Sequence, residues 1–172
     1  MTQRVPTVRP ISWLATIPQF IAGGVAIVIG CLVTQSTNGV PLGAGVYLIY
    51  SLGSRSIIPA AHCRGMRLFQ NQKFEEAILA YEESYEFFTR YAWLDKYRSI
   101  TMMTPGAMCY REMALNNIAF AHGQIGNGDK AKEFYQRTLD EYPNNIMASA
   151  ALKMIESVEC STHEVAQPDL KD

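Results

Sequence analysis

The chain has 172 residues with 15 Lys and Arg against 16 Asp and Glu, a formal charge of −1 that gives no bulk attraction to nucleic acid. Four scattered cysteines without a CxxC pair exclude a disulfide framework and fit a reducing compartment. The averages hide a division: every Asp and Glu lies at or after Glu75, while Arg4, Arg9, Arg55, Arg64, Arg67 and Lys73 are the only charges before it.

After a short N-terminal segment (1–10), Ile11 to Val33, "ISWLATIPQFIAGGVAIVIGCLV", carries no charge. About 20 apolar residues rising 1.5 Å each cross a ~30 Å hydrocarbon core, so this stretch is expected to be a transmembrane helix. A buried soluble helix or a cleaved signal sequence is the alternative, although "TQSTNGVP" makes a poor cleavage site. Residues 38–56 form a shorter, Gly-rich apolar run ending near Arg55, whose long stem reaches the headgroups, and a second span is expected there.

Arg4 and Arg9 precede the first span, and Arg55, Arg64 and Arg67 follow the second. Cytoplasmic flanks are enriched in such residues, so an integral protein of a bacterial inner membrane with both termini cytoplasmic is expected. Ala22, Ala26 and Gly30 recur every four residues, and Gly39, Gly43 and Ala44 offer small surfaces opposite, which suits a close antiparallel hairpin across residues 11–58. A homo-oligomer through the same face is the alternative.

From Pro59 the apolar period becomes helical, with charges on the other face. Glu112 to Asn145 contains Leu115, Ile118, Ala119, Gly126, Ala131, Tyr135 and Pro143 at intervals that read as a helical hairpin: Ala119 and Ala131 permit a close crossing, and "GNGD" supplies a glycine stop and an Asp cap. Over its 34 residues this segment resembles a tetratricopeptide repeat (TPR), with His122 where that family has an aromatic and Thr138 where it has alanine. Pro59 to Tyr91 resembles the same repeat through Gly65, Leu68, Phe74, Ala77, Tyr81 and Ser84 but lacks a closing proline. Together the two cover about residues 58–145. Pro59 suits the first turn of the first repeat helix.

Ala77 and Ala131 are 54 positions apart rather than the 34 of adjacent repeats, so extra residues must be housed. Phe87, Phe88, Tyr91, Leu94 and Tyr97 continue at helical spacing, and Thr104-Pro105 reads as a cap before a proline at the first helical position. The expectation is an elongated hairpin at about 87–111, with one helix running to Arg98 or Ile100 and the next starting at Pro105. A returning helix of about 27 residues travels roughly 40 Å against roughly 21 Å for the outgoing 14, which brings its tip back to the bilayer. Tyr91, Trp93, Tyr97, Met102 and Met103, beside Lys96 and Arg98, are the expected membrane-interface contacts; packing against the membrane helices or each other is the alternative.

Ile146 to Val158 reads as a capping helix that closes the 59–158 helical domain, and residues 159–172 lack periodicity and are expected to be disordered. The whole is expected to be all-α: a transmembrane helical hairpin, then a two-repeat TPR-like right-handed α-solenoid with a capping helix.

No nucleophile elbow, HExxH, phosphate loop or GxGxxG is present. Cys160 and His163 have ligand-like spacing without two further ligands, and Glu75, Glu76, Glu82, Glu83 and Glu86 read as a solvated helix face. No enzymatic activity, cofactor, metal or nucleic-acid partner is expected. The TPR resemblance implies a groove lined by first-type helices that binds a protein or peptide. It maps onto His62, Met66, Phe69 and Gln70 in the earlier repeat and Met113, Asn116, Asn117, Phe120 and Gln124 in the later. Family members that grip a partner's C-terminal carboxylate use paired Asn and Lys or Arg; here Asn117 is flanked by His62 and Met66, which argues against that mode. The expected role is a membrane-anchored adaptor or scaffold, with an exported soluble repeat protein whose first helix is removed as the rival.

Overall fold

The computed structural model describes residues 16–104, 106 and 108–165, and the secondary structure of that part is helical. Helix α1 (Ile17–Thr34) and helix α2 (Gly39–Ile57) form a hairpin. The part of the first expected span before Thr16 lies outside the described residues. Gln35 takes a left-handed conformation (φ 47°), the Thr34 hydroxyl bonds back to the Gly30 carbonyl at 2.9 Å, and the amides of Gly39 and Val40 return to the Ser36 and Thr37 carbonyls. Four short polar positions thus reverse the chain.

The helices meet backbone to backbone. A Cβ at Gly43 would strike the Ala26 carbonyl and come within 2.6 Å of Ile27 Cα, and one at Gly30 would strike the Gly39 carbonyl and come within 2.9 Å of Gly43 N. Away from this seam the hairpin is apolar and open, with Phe20 77% and Ile49 76% exposed. Of the described helices, α1 alone is long and apolar enough to cross a membrane by length and composition; α2, with its Gly, Ser and Arg55, is not.

Helix α3 (Ala60–Gln70) starts directly after α2, with Pro59 as its cap rather than its first helical residue. A left-handed Gln72 (φ 61°) turns the chain into α4 (Phe74–Arg90). Gly65 is required here, because a Cβ would lie 2.8 Å from the Tyr81 ring. After two short helices, α5 (Ala92–Lys96) and α6 (Arg98–Thr101), come α7 (Tyr110–Gln124), α8 (Gly128–Glu141) and α9 (Ile146–Val165). Helices α3, α4, α7, α8 and α9 each pack on the next in chain order. The α3/α4/α7 core gathers Phe69, Ala77, Tyr81 and Ile118; the α7/α8/α9 core gathers Ala119, Ala131, Tyr135, Ala148 and Leu152.

Three expected boundaries are corrected. Helix α4 ends at Arg90, not near Ile100, because the following residues fold back: Met102 is fully buried against Phe88 and Tyr110, and Tyr91 leaves helical geometry (φ −113°, ψ 50°). The elongated hairpin is therefore replaced by a compact knot. Helix α7 begins at Tyr110 rather than at Pro105, which is not among the described residues; Thr104 instead bonds back to the Arg98 carbonyl, and the Cys109 Sγ caps α7 by accepting from the Glu112 amide at 3.4 Å. Helix α9 runs past Val158 to Val165, and Lys132 pairs with Glu159 on the added turn at 2.6 Å. Residues 166–172 lie outside the described part.

The seam makes a matched pair of substitutions informative. Gly43→Leu should weaken the hairpin by about 1–3 kcal/mol through overpacking, whereas Gly45→Leu, where an added Cβ meets nothing within 4 Å, should leave it unchanged. Denaturant titration of the detergent-solubilised chain, read by the yield of oxidant-driven crosslinking between reduced cysteines placed across the seam, checks this; equal behaviour of the two variants would refute the contact.

Candidate functional site

Two regions gather the expected site residues, and the first is the knot between α4 and α7. Asp95, buried in α5, places its carboxylate at the start of α7: Oδ1 accepts from the Tyr110 amide at 2.9 Å and Oδ2 from the Arg111 amide at 3.2 Å. The first amides of a helix lack carbonyl partners, and here a carboxylate from a distant segment supplements the local Cys109 cap. Arg98 tightens the same knot by donating to the Gly106 carbonyl at 3.0 Å and the Asp95 carbonyl at 3.2 Å, and the Thr101 hydroxyl donates to Leu94 at 2.9 Å.

The far side of the knot meets the hairpin. The Tyr50 hydroxyl reaches the Ile100 and Thr101 carbonyls at 3.4 and 3.3 Å, Arg55 donates to the Met103 carbonyl, and α1 packs on α6. Of the expected interface residues, Tyr91, Trp93 and Tyr97 are exposed, Trp93 by 58%, with Ile100 beside them. Met102 and Met103 are corrected: at 0% and 3% exposure they fill the interior, because Met102 is the side chain that completes the Phe88–Tyr110 cluster. Sequence spacing missed Asp95 altogether; the available signal was a lone acid within an aromatic run.

The second region is the strip between α3 and α7. Phe69 stacks on Phe120 with ring centroids 5.4 Å apart, and His62 lies edge-on to Tyr110 at 5.2 Å while its Nδ1 sits 3.4 Å from the Ser84 hydroxyl. His62, Phe69 and Asn116 are buried, whereas Met66, Gln70, Met113, Asn117, Phe120 and Gln124 keep open surface. The strip is an apolar floor with amide edges. Asn116 donates to the Glu112 carbonyl at 3.0 Å, and its buried Oδ1 has no hydrogen-bond partner among the described residues. Glu112 in turn accepts from Asn145, which caps α9 by accepting from the Ala148 amide at 2.7 Å.

No protein-family model, curated protein or solved structure matches this chain. What the residues can do must come from their own chemistry. Burial pushes the Cys109 thiol above its ordinary value, against hydrogen bonds from Tyr142 and the Glu112 amide, which keeps it protonated and weakly nucleophilic. The His62–Ser84 contact is enclosed, with both residues buried. These groups read as structural.

His122 sits at the end of α7 against Phe134, ring centroids 5.6 Å apart, with its buried Nδ1 unpartnered among the described residues. Burial lowers its pKa, Lys130 adds to this, and Glu82 and Glu133 oppose it. A lowered folded value means that the unfolded chain takes up the proton first, so this contribution is full above the ordinary pKa of about 6.5 and shrinks as pH falls through it. His122→Phe should add about 1 kcal/mol by removing the unpaired nitrogen, and its advantage over the parent chain should widen between roughly pH 7.5 and 5. Melting curves of both proteins across that range provide the check; a constant difference would contradict the assignment.

Proposed function

We propose that the chain is a membrane-anchored helical adaptor, with the α1–α2 hairpin in the lipid, both ends on the cytoplasmic side and a TPR-like two-repeat domain presenting the α3/α7 strip to a protein or peptide. The observation that carries this reading is the hairpin itself: its seam is closed by glycines while large apolar side chains cover its outside, a surface far beyond the scattered apolar exposure of a water-soluble monomer. Transfer of each such side chain from water to hydrocarbon is favourable by about 1.5–3 kcal/mol. Arg55 lies in the last turn of α2, where its charge complements the helix dipole and its stem reaches the polar boundary.

The aromatic side chains of the knot fit the same orientation. Tyr91, Trp93 and Tyr97 are exposed on the segment whose carbonyls bind Tyr50 and Arg55, at the end of the hairpin where headgroups would lie. With the knot bonded to both α2 and α7, the adaptor domain is held against the bilayer rather than swinging on a linker. For the strip, the apolar floor of Phe69 and Phe120 with Gln70, Asn117 and Gln124 at its edges suits an extended or helical segment bearing apolar anchors. Antiparallel packing of α1 through Gly30 and Gly43 favours retention of α1 over its removal, because cleavage would uncover the seam of α2.

The anchor is tested by alkaline carbonate extraction with mass measurement of the chain. It should stay in the pellet with α1 attached, and in a Trp13→Phe background Trp93 emission should be quenched by lipid-borne quenchers; release into the supernatant without α1 would defeat the reading. The strip is tested separately with a photocrosslinker at position 120 or 70. Adducts to one protein should form there and fall at least several-fold with Phe69→Asp, while a crosslinker at exposed Glu83 should give none; equal labelling from both sites would reject the strip as the binding face.

A further inference from the structure

Between the knot and the helical pairs lies a cleft of about 170 Å³, lined by Ala92, Asp95, Lys96, Arg98, Cys109, Arg111 and Tyr142. Three cations face one carboxylate, and that carboxylate has both oxygens engaged by the amides of Tyr110 and Arg111. Arg111, on the cleft wall, keeps a buried Nε with no acceptor among the described residues while its terminal nitrogen serves Glu141. Lys96 takes part in no ion pair among the described residues; its ammonium lies over the Tyr97 ring, 5.7 Å from the centroid. The cleft therefore holds positive charge in excess of what its own acid neutralises.

We propose that this cleft binds a phosphate group. Guanidinium and ammonium donors lining one cleft from α5, α6 and α7 suit a tetrahedral oxyanion, since charge-assisted hydrogen bonds are about twice as strong as neutral ones. The volume is ample for a phosphate together with several waters. Lys96 is exposed and lies over the Tyr97 ring, whereas Arg98 and Arg111 are held by Gly106 and Glu141. The group comes either from a soluble phosphate ester or from a lipid headgroup reached through the exposed face of α5; only the headgroup source rests on the membrane-anchor reading.

The test uses the full chain with Trp13→Phe in phosphatidylcholine nanodiscs, so that Trp93 on α5 reports. Inorganic phosphate is titrated at constant ionic strength against chloride, and in parallel the discs are doped with phosphatidic acid. A saturable emission change with phosphate, weakened roughly tenfold by Lys96→Gln and unchanged by Arg90→Gln, assigns the site to a soluble anion. The same variant pattern with phosphatidic acid alone assigns it to a headgroup. No saturable response to either probe, or equal losses in the two variants, overturns the proposal; circular dichroism of each variant excludes unfolding as the cause.

Discussion

Two backbone amides at the start of α7 have no carbonyl of their own helix to bond, and the carboxylate of Asp95 supplies oxygen to both. This contact spans a segment that would otherwise be a loose connection between α4 and α7. With Asp95 turned inward, α5 cannot continue the axis of α4; α6 follows it round, and the Met103 carbonyl comes within reach of Arg55 and those of Ile100 and Thr101 within reach of Tyr50. One polar interaction in the middle of the chain thus ties the apolar hairpin to the second helical pair. A buried carboxylate is tolerated only when fully hydrogen-bonded, and here two amides meet that need.

Close approach by small side chains is used twice, to different ends. In the hairpin, Gly30, Gly39 and Gly43 let the helix backbones touch, which suits a setting where lipid tails compete with any larger apolar side chain for the interface. In the helical pairs, Gly65 lets the Tyr81 ring lie on α3, and Ala119 and Ala131, both buried, bring α7 and α8 together. There the neighbours are large residues rather than backbone, so the gain is apolar burial of the kind that drives folding in water.

Much of this was legible in the residues. The period of Leu115, Ile118 and Ala119, the turn at Gly126 (φ 80°) and the cluster of small residues between positions 26 and 43 are local signals, and local signals set helices and their contact faces. The break after Arg90 was not legible. Phe87, Phe88, Tyr91, Leu94 and Tyr97 keep helical spacing, and nothing within one turn of Tyr91 stops a helix; the cause is a contact that Asp95 makes 15 residues further on, at Tyr110. For the same reason Met102 and Met103, read as interface contacts with packing as the alternative, lie inside: the Phe88–Tyr110 cluster that Met102 completes exists only after the chain has folded back. His62 and Asn116 read as groove residues and are buried floor, because their faces are shared with α4 and with the first turn of α7.

Two helical pairs leave apolar surface uncovered where no neighbour lies, because each pair buries its apolar face only against an adjoining element. Here α9 covers the α8 end, and the knot braces the seam between the pairs. Helix α9 lays Ala148 and Leu152 on Ala131 and Tyr135, and Asn145 caps it while bonding Glu112, so the cover is fastened to α7 as well as to α8. Across the seam between the pairs the knot lays Met102 on Phe88 and Tyr110, with Ile58 at the edge of the cluster. Ile58 is the C-cap of α2, so that brace begins where the hairpin ends. The stability of the pairs and the placement of the hairpin are consequently one problem, and a change that loosened the knot would expose the first and free the second together.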